Sequence, residues 1–143
     1  MVIYLEACEG GSMFDNIIGD RDGIFVTTAA ATNENSFAYY CEYSTYDACL
    51  GDFYSITWME QMDLLRESWS DRYVTLFKQY RHVRTNVNKS RVMMYGDFRL
   101  GFDRLSHFLG DDGSTKRTLP ASNEAPELKM VTLNFFFPQL LIN

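Results

Sequence analysis

The chain has 143 residues, a formal net charge of −6 and 46% apolar residues, which suits one domain with a sizeable core. The acidic balance, with no basic stripe, excludes a nucleic-acid partner. No apolar run approaches the roughly 18 residues of a membrane span, and Met1-Val2-Ile3-Tyr4-Leu5 lacks the basic start of a signal peptide.

In chain order, Val2–Ala7 and Ile24–Thr28 read as short buried strands. Between them, Met13, Phe14, Ile17 and Ile18 fall at helical spacing after Ser12, with Gly19 as a stop. Strand, helix, strand predicts a βαβ unit with parallel strands. Residues 29–49 are rich in Asn, Ser, Tyr and Thr and read as a long loop, a length that usually serves function. Phe53–Leu65 reads as a helix with Asp52 near its start, where a carboxylate suits the dipole. A second helix is expected from Ser70 as N-cap to about Asn86, with Tyr73, Leu76, Phe77, Tyr80 and Val83 on its core face. Arg91–Tyr95 reads as a strand and Leu105–Leu109 as an edge strand. From Asp111 the character changes. Gly113 to Arg117 and Pro120 to Pro126 read as a linker, followed by an apolar tail, Leu133 to Ile142, too short to cross a bilayer. The expectation is an α/β fold over residues 1–111, with a mostly parallel sheet and helices on both faces. Residues 112–143 are then a linker and atypical apolar tail.

The chemistry concentrates in Tyr4-Leu5-Glu6-Ala7-Cys8-Glu9-Gly10-Gly11-Ser12-Met13. A thiol at a strand end, beside Gly-rich backbone with free N–H groups, is placed as a nucleophile is placed. The plain alternative is a small inert Cys capping the strand. Thiol catalysis also needs a base. Of the two histidines, His82 falls on the solvated Arg/Lys face of the second helix, and His107 in the expected edge strand. Both read as surface residues. Cys41 and Cys49 bracket a short loop. That spacing permits a disulfide and equally permits two free thiols. Asn88-Lys89-Ser90 is an N-glycosylation acceptor sequence.

The Cys8 segment resembles the nucleophile motif of the legumain family of asparaginyl endopeptidases, usually Glu-Ala-Cys-Glu-Ser-Gly-Ser, with Gly10 in place of a Ser. Later blocks resemble the family in the same order: Val26 to Ala30, Leu50 to Ser55 with Trp58-Met59-Glu60, Lys78-Gln79-Tyr80, and Val92 to Gly96. The resemblance implies a caspase-like sheet and a cysteine endopeptidase that cuts after Asn, or after Asp at acid pH, with Cys8 as nucleophile. It implies that Glu6 and Asp52 line a cavity for the Asn side chain, with Ser36 near the substrate and Asn35 where the family carries another Ser. The physics suits that reading. An Asn carboxamide offers two N–H donors to carboxylates and one acceptor to a cation. The family's His-Gly pair precedes the Cys, and no such pair stands between Met1 and Cys8. The resemblance therefore implies the C-terminal portion of a catalytic domain, inactive alone, whose partner is its own N-terminal portion. It further implies peptide substrates, no cofactor or metal, a Cys41–Cys49 disulfide like that of plant members, and a lysosomal, vacuolar or secreted setting. Two alternatives stand beside it. One is a non-catalytic remnant or binding protein that kept the pocket without the base. The other is a glycosylphosphatidylinositol transamidase-like peptidase, against which the Leu50 and Trp58 blocks argue.

Overall fold

The computed structural model describes residues 1–20, 23–42, 47–67 and 73–108. The expected cap at Ser70, the end of the expected edge strand at Leu109, and the whole of 112–143 lie outside these residues. Five strands and two α-helices are described: β1 (Val2–Leu5), β2 (Phe25–Thr28), β3 (Ala38–Tyr39), β4 (Gly51–Asp52), α1 (Phe53–Glu67), α2 (Leu76–Asn86) and β5 (Met93–Gly96).

The main sheet has the order β1-β2-β5. β1 runs parallel to β2, from Val2 opposite Phe25 to Leu5 opposite Thr28. β5 runs antiparallel to β2, from Phe25 opposite Gly96 to Thr28 opposite Met93. The described sheet is thus half parallel and half antiparallel, which corrects the expectation of a mostly parallel one. β2 is buried along its whole length, as a central strand must be.

Alternation along these strands sends Val2, Tyr4, Phe25, Thr27 and Met94 to one face. Both α-helices pack there. Phe25 gathers with Leu76 and Leu105, and Val2, Met62, Phe77 and Met94 pack around them. Ala29, Tyr54, Tyr80, Val83, Val87 and Val92 form a second cluster with Tyr4, Trp58 and Met94. Each fully buried apolar side chain here contributes on the order of 2 kcal/mol. Helices on both faces were expected. On the other face lies the turn after β1, where the Phe14 and Tyr95 rings are 6.2 Å apart.

That turn replaces the expected helix at 12–18. Gly10–Met13 is one turn of 3-10 helix, and Asn16 and Gly19 take left-handed backbone that stops any longer run. Met13 and Ile17 are exposed, so their helical spacing finds no face to bury. Leu105–Phe108 is likewise a 3-10 helix rather than an edge strand. Neighbours Leu105 and Ser106 are both buried there, which a half-buried strand cannot do. α2 starts at Leu76 because the Thr75 side chain caps it, accepting from the Lys78 N–H at 3.3 Å. Leu76, Tyr80 and Val83 are buried as expected, whereas Tyr73 lies ahead of the helix and is exposed. The polar stretch after β2 contains β3, which pairs with β4 in a separate two-stranded ladder, Ala38 opposite Asp52 and Tyr39 opposite Gly51.

Candidate active site

Cys8 sits in the turn that closes β1. Gly10 N–H donates to the Ala7 carbonyl at 3.2 Å, and Glu9 takes left-handed backbone (φ 55°). Such a conformation costs a non-glycine residue about 1–2 kcal/mol. The Glu9 N–H offsets part of that by donating to the Glu34 carbonyl at 2.6 Å. Gly11 N–H donates to the Ala30 carbonyl at 3.0 Å. Free N–H groups at the glycines were expected, but both are engaged. Among the described residues the Cys8 N–H itself has no acceptor, so it is the donor left for a developing oxyanion.

The two glycines do different work. A Cβ on Gly11 would lie 2.5 Å from the Tyr95 hydroxyl and 2.8 Å from the Thr32 nitrogen, so only glycine lets this turn press onto the sheet. A Cβ on Gly10 would meet Leu5 and Thr28 at an ordinary 3.5 Å. The family's Ser therefore fits at position 10, and its loss is a mild departure.

Cys8 is exposed and unpaired, while Cys41 and Cys49 are joined by a disulfide. The Cys8 Sγ lies 3.8 Å from both the carbonyl oxygen and the hydroxyl of Ser36. Glu6, two residues earlier, reaches the first turn of α1. Its Oε2 accepts from the Ser55 N–H at 3.0 Å and from the Ser55 hydroxyl at 2.9 Å. The carboxylate at this helix start is therefore Glu6, which takes one of the N–H groups the first turn cannot satisfy. Asp52 stands just ahead of the helix in β4.

Burial pushes the Glu6 carboxyl up to about 7, against the opposing pull of Ser55; nearby Asp52 adds to the rise. The Ser36 hydroxyl is near enough to favour the ionised form slightly, yet Glu6 Oε1 is buried with no hydrogen bond among the described residues. Burial also raises Asp52. Below neutral pH the pair therefore holds at least one proton, because two half-desolvated carboxyls resist double ionisation.

Neither imidazole joins this arrangement. His82 and His107 are exposed, and neither is hydrogen-bonded to Cys8. His82 lines a shallow groove on α2 with Lys78, Arg81, Thr85 and Asn86. Asn88 is exposed just past the end of α2. No group of His, Cys, Asp or Glu among the described residues could hold a metal ion. Glu34 was not foreseen from the sequence, and Ser55 was met only as the last residue of the Leu50 to Ser55 block, with no role of its own. Ser55 was findable, because a small hydroxyl residue in a helix's first turn is a standard carboxylate partner. Glu34 acts through its carbonyl, which no side-chain pattern announces.

An exposed thiol just past a strand end, with its own N–H free and two half-buried carboxyls on neighbouring segments, supplies the nucleophile and one oxyanion donor of thiol chemistry, without its base. The model of the Peptidase C13 family matches residues 1–111, and the chain belongs to that family of cysteine peptidases. It is 38% identical to a legumain of Canavalia ensiformis over 146 aligned positions, covering 94% of this chain and 30% of the relative. It is 44% identical to a legumain of Rattus norvegicus, covering 77% of this chain and 24% of the relative. A hemoglobinase of Schistosoma japonicum is 38% identical, covering 88% and 28%. The chain thus spans less than a third of the length of these relatives.

Proposed function

We propose that this chain is the C-terminal portion of the catalytic domain of a cysteine endopeptidase that cuts after Asn, and after Asp at acid pH. Residues 1–111 carry that portion and residues 112–143 a linker and tail. Cys8 is the nucleophile, and Glu6, Asp52 and Ser36 line the cavity for the substrate side chain. One observation carries the reading: an exposed thiol with its own N–H free, whose neighbour Ser36 leads to a buried carboxyl oxygen, Oε1 of Glu6, with no partner.

Cys8 Sγ attacks the amide carbonyl carbon, and the oxyanion that forms is held by the Cys8 N–H. The amine leaves with a proton, and water then cleaves the thioester. Glu6 in its neutral form offers the carboxamide both a donor and an acceptor, where an ionised carboxylate could only accept. A cavity with Glu6 protonated also tolerates an acidic side chain, which fits the turnover of Asp at acid pH. The proton acceptor for Cys8 is a His of an N-terminal portion of the same domain. That portion would pair with the edge of β1 that faces away from β2. A further relative, a vacuolar-processing enzyme of Glycine max at 38% identity over 94% of this chain and 29% of the relative, supports a vacuolar, lysosomal or secreted setting.

The test is cleavage of an Ala-Ala-Asn reporter at acid pH by the full-length parent. Cleavage is expected, with none from Cys8→Ala; residual turnover in that variant would overturn Cys8 as nucleophile. The 143-residue chain alone is expected to turn over little, and brisk turnover would make His82 or His107 the base. A second reading, a binding protein that kept the cavity without the chemistry, draws on the thiol's hydrogen-bond partner among the described residues being Ser36 and not a histidine. A parent that binds the reporter without cleaving it would favour that reading.

A further inference from the structure

We propose that Glu34 and Arg91, with Lys89 and Ser90 beside them, form a clasp that positions the Cys8 thiol. This rests on Cys8 being the reactive group of the site, and it adds residues remote from the substrate cavity.

The loop between β2 and β3 does two jobs for Cys8. Glu34 supplies the carbonyl that accepts from the Glu9 N–H at 2.6 Å and so holds Glu9 in its left-handed conformation. Ser36, two residues on, supplies both oxygens that flank the sulfur at 3.8 Å. The loop leaves the core after Ala31 and from there is polar, with exposed Asn33 and Asn35, and a surface stretch of that kind opens easily. Something must therefore fix it.

The chain just before β5 does so at three points. Ser90 Oγ donates to the Ala29 carbonyl at 2.7 Å, at the start of the loop. In the middle, the Glu34 carboxylate accepts from the Arg91 backbone N–H at 2.9 Å and from its Nε at 2.5 Å. At the far end, the Lys89 ammonium lies 6.0 Å from the centre of the Phe37 ring. Glu34 is thus gripped by its side chain and grips the nucleophile turn by its main chain. A surface ion pair adds little to global stability. This one instead carries a doubly hydrogen-bonded carboxylate on the residue whose carbonyl sets the turn after Cys8. Loosening it releases the backbone on which the Cys8 N–H and Sγ are aimed.

The test uses the oxidised 143-residue chain, in which Cys8 is the free thiol and Cys41 and Cys49 are paired. Wild type, Glu34→Gln, Arg91→Met and the double variant are compared by amide exchange and by alkylation with iodoacetamide. Exchange at the Glu9 amide is expected to quicken about tenfold in each single variant, the scale of one lost charge-assisted hydrogen bond. The double variant should be no faster than either single, as for partners in one interaction. Alkylation of Cys8 should rise severalfold, while the Val26 amide in the core strand keeps its protection. Unchanged exchange at Glu9, or an equal rise at Glu9 and Val26, would overturn the clasp. Should Arg91→Met fold poorly, Glu34→Gln, which keeps the Glu34 carbonyl, carries the same comparison. Turnover is not read, so a failure here is distinct from a failure of the proteolytic assignment.

Discussion

The site has two walls, and they are built by different means. One is the nucleophile turn, residues 6–11, fused to the central sheet. The N–H groups of Glu9, Gly10 and Gly11 are spent on the carbonyls of Glu34, Ala7 and Ala30, and Gly11 lies against Tyr95 with no room for another atom. The other wall is the β3–β4 hairpin that delivers Asp52. It holds on by two residue pairs, by the Phe53 N–H donating to the Phe37 carbonyl at 2.8 Å, and by the Cys41–Cys49 disulfide. The first wall is anchored where Gly10 and Gly11 are buried against the sheet. The second is a surface element stabilised locally, the kind of structure that opens without unfolding the rest. On the proposed reading such a division suits the chemistry: the attacking atom must stay fixed to fractions of an ångström, whereas the wall proposed to admit a side chain has to accommodate its entry.

The comparison breaks most sharply at Gly11. Gly11→Ala forces a methyl group onto the Tyr95 hydroxyl and the Thr32 and Ala31 backbone. Overpacking of that kind costs about 3 kcal/mol or more, because backbone cannot step aside. Gly10→Ser, one residue away, should cost far less, because a Cβ there meets Leu5 and Thr28 at an ordinary 3.5 Å. Urea unfolding of the two variants checks this, and equal losses would remove the claim that the first wall is set by close approach.

Glu6 gives the next largest effect, through pH. Its folded pKa of about 7 lies above its unfolded value, roughly 4.3. A raised carboxyl stabilises fully below the unfolded value, and that stability is lost as pH rises through 7. On the order of 3 kcal/mol is at stake. Glu6→Gln keeps an acceptor for Ser55 and cannot ionise, so it should match wild type near pH 4 and exceed it at pH 8. Parallel stability curves for the two proteins across that range would show that Glu6 is not held protonated.

For the second wall, Cys41→Ser with Cys49→Ser removes a covalent link across a separation of eight residues. The chain-entropy scale puts the cost at about 2–3 kcal/mol. Because the hairpin is peripheral, exchange should quicken at Phe53 and Leu50 well before it does in β2. A uniform rise across β2 and β3 would mean that the two walls are one cooperative unit.

How far the molecule was legible in its sequence follows the same division. Both strands flanking the nucleophile turn were readable, since Val2 to Leu5 and Phe25 to Thr28 are short apolar runs bounded by glycine or charge. The helix from Phe53 and the buried face of Leu76, Tyr80 and Val83 were readable for the same reason of period. The errors came where periodicity had no partner to act on. Met13 and Ile17 keep helical spacing yet face solvent, and Leu105 is buried by α2 rather than by a strand neighbour. The direction of β5 was not legible, because strand polarity depends on the return path after α2 and leaves no mark in composition. At the site, Cys8 was singled out by the resemblance of its segment to the family's nucleophile motif, since residue type alone reads more readily as an inert strand-end Cys. The spent glycine donors, the Glu34 carbonyl and the seat of Glu6 on α1 are backbone relations between segments far apart in the chain.

The central claim is that Cys8 is a nucleophile aimed at a carboxamide-reading cavity. Its most direct test is labelling of the parent protein by Ala-Ala-Xaa chloromethyl ketones with Xaa as Asn or Leu, followed by peptide mapping. The account predicts a covalent adduct on Cys8 that forms far faster with Asn than with Leu, a preference that fades in Glu6→Ala and in Asp52→Ala. Labelling of another residue, or equal rates for Asn and Leu, would contradict it.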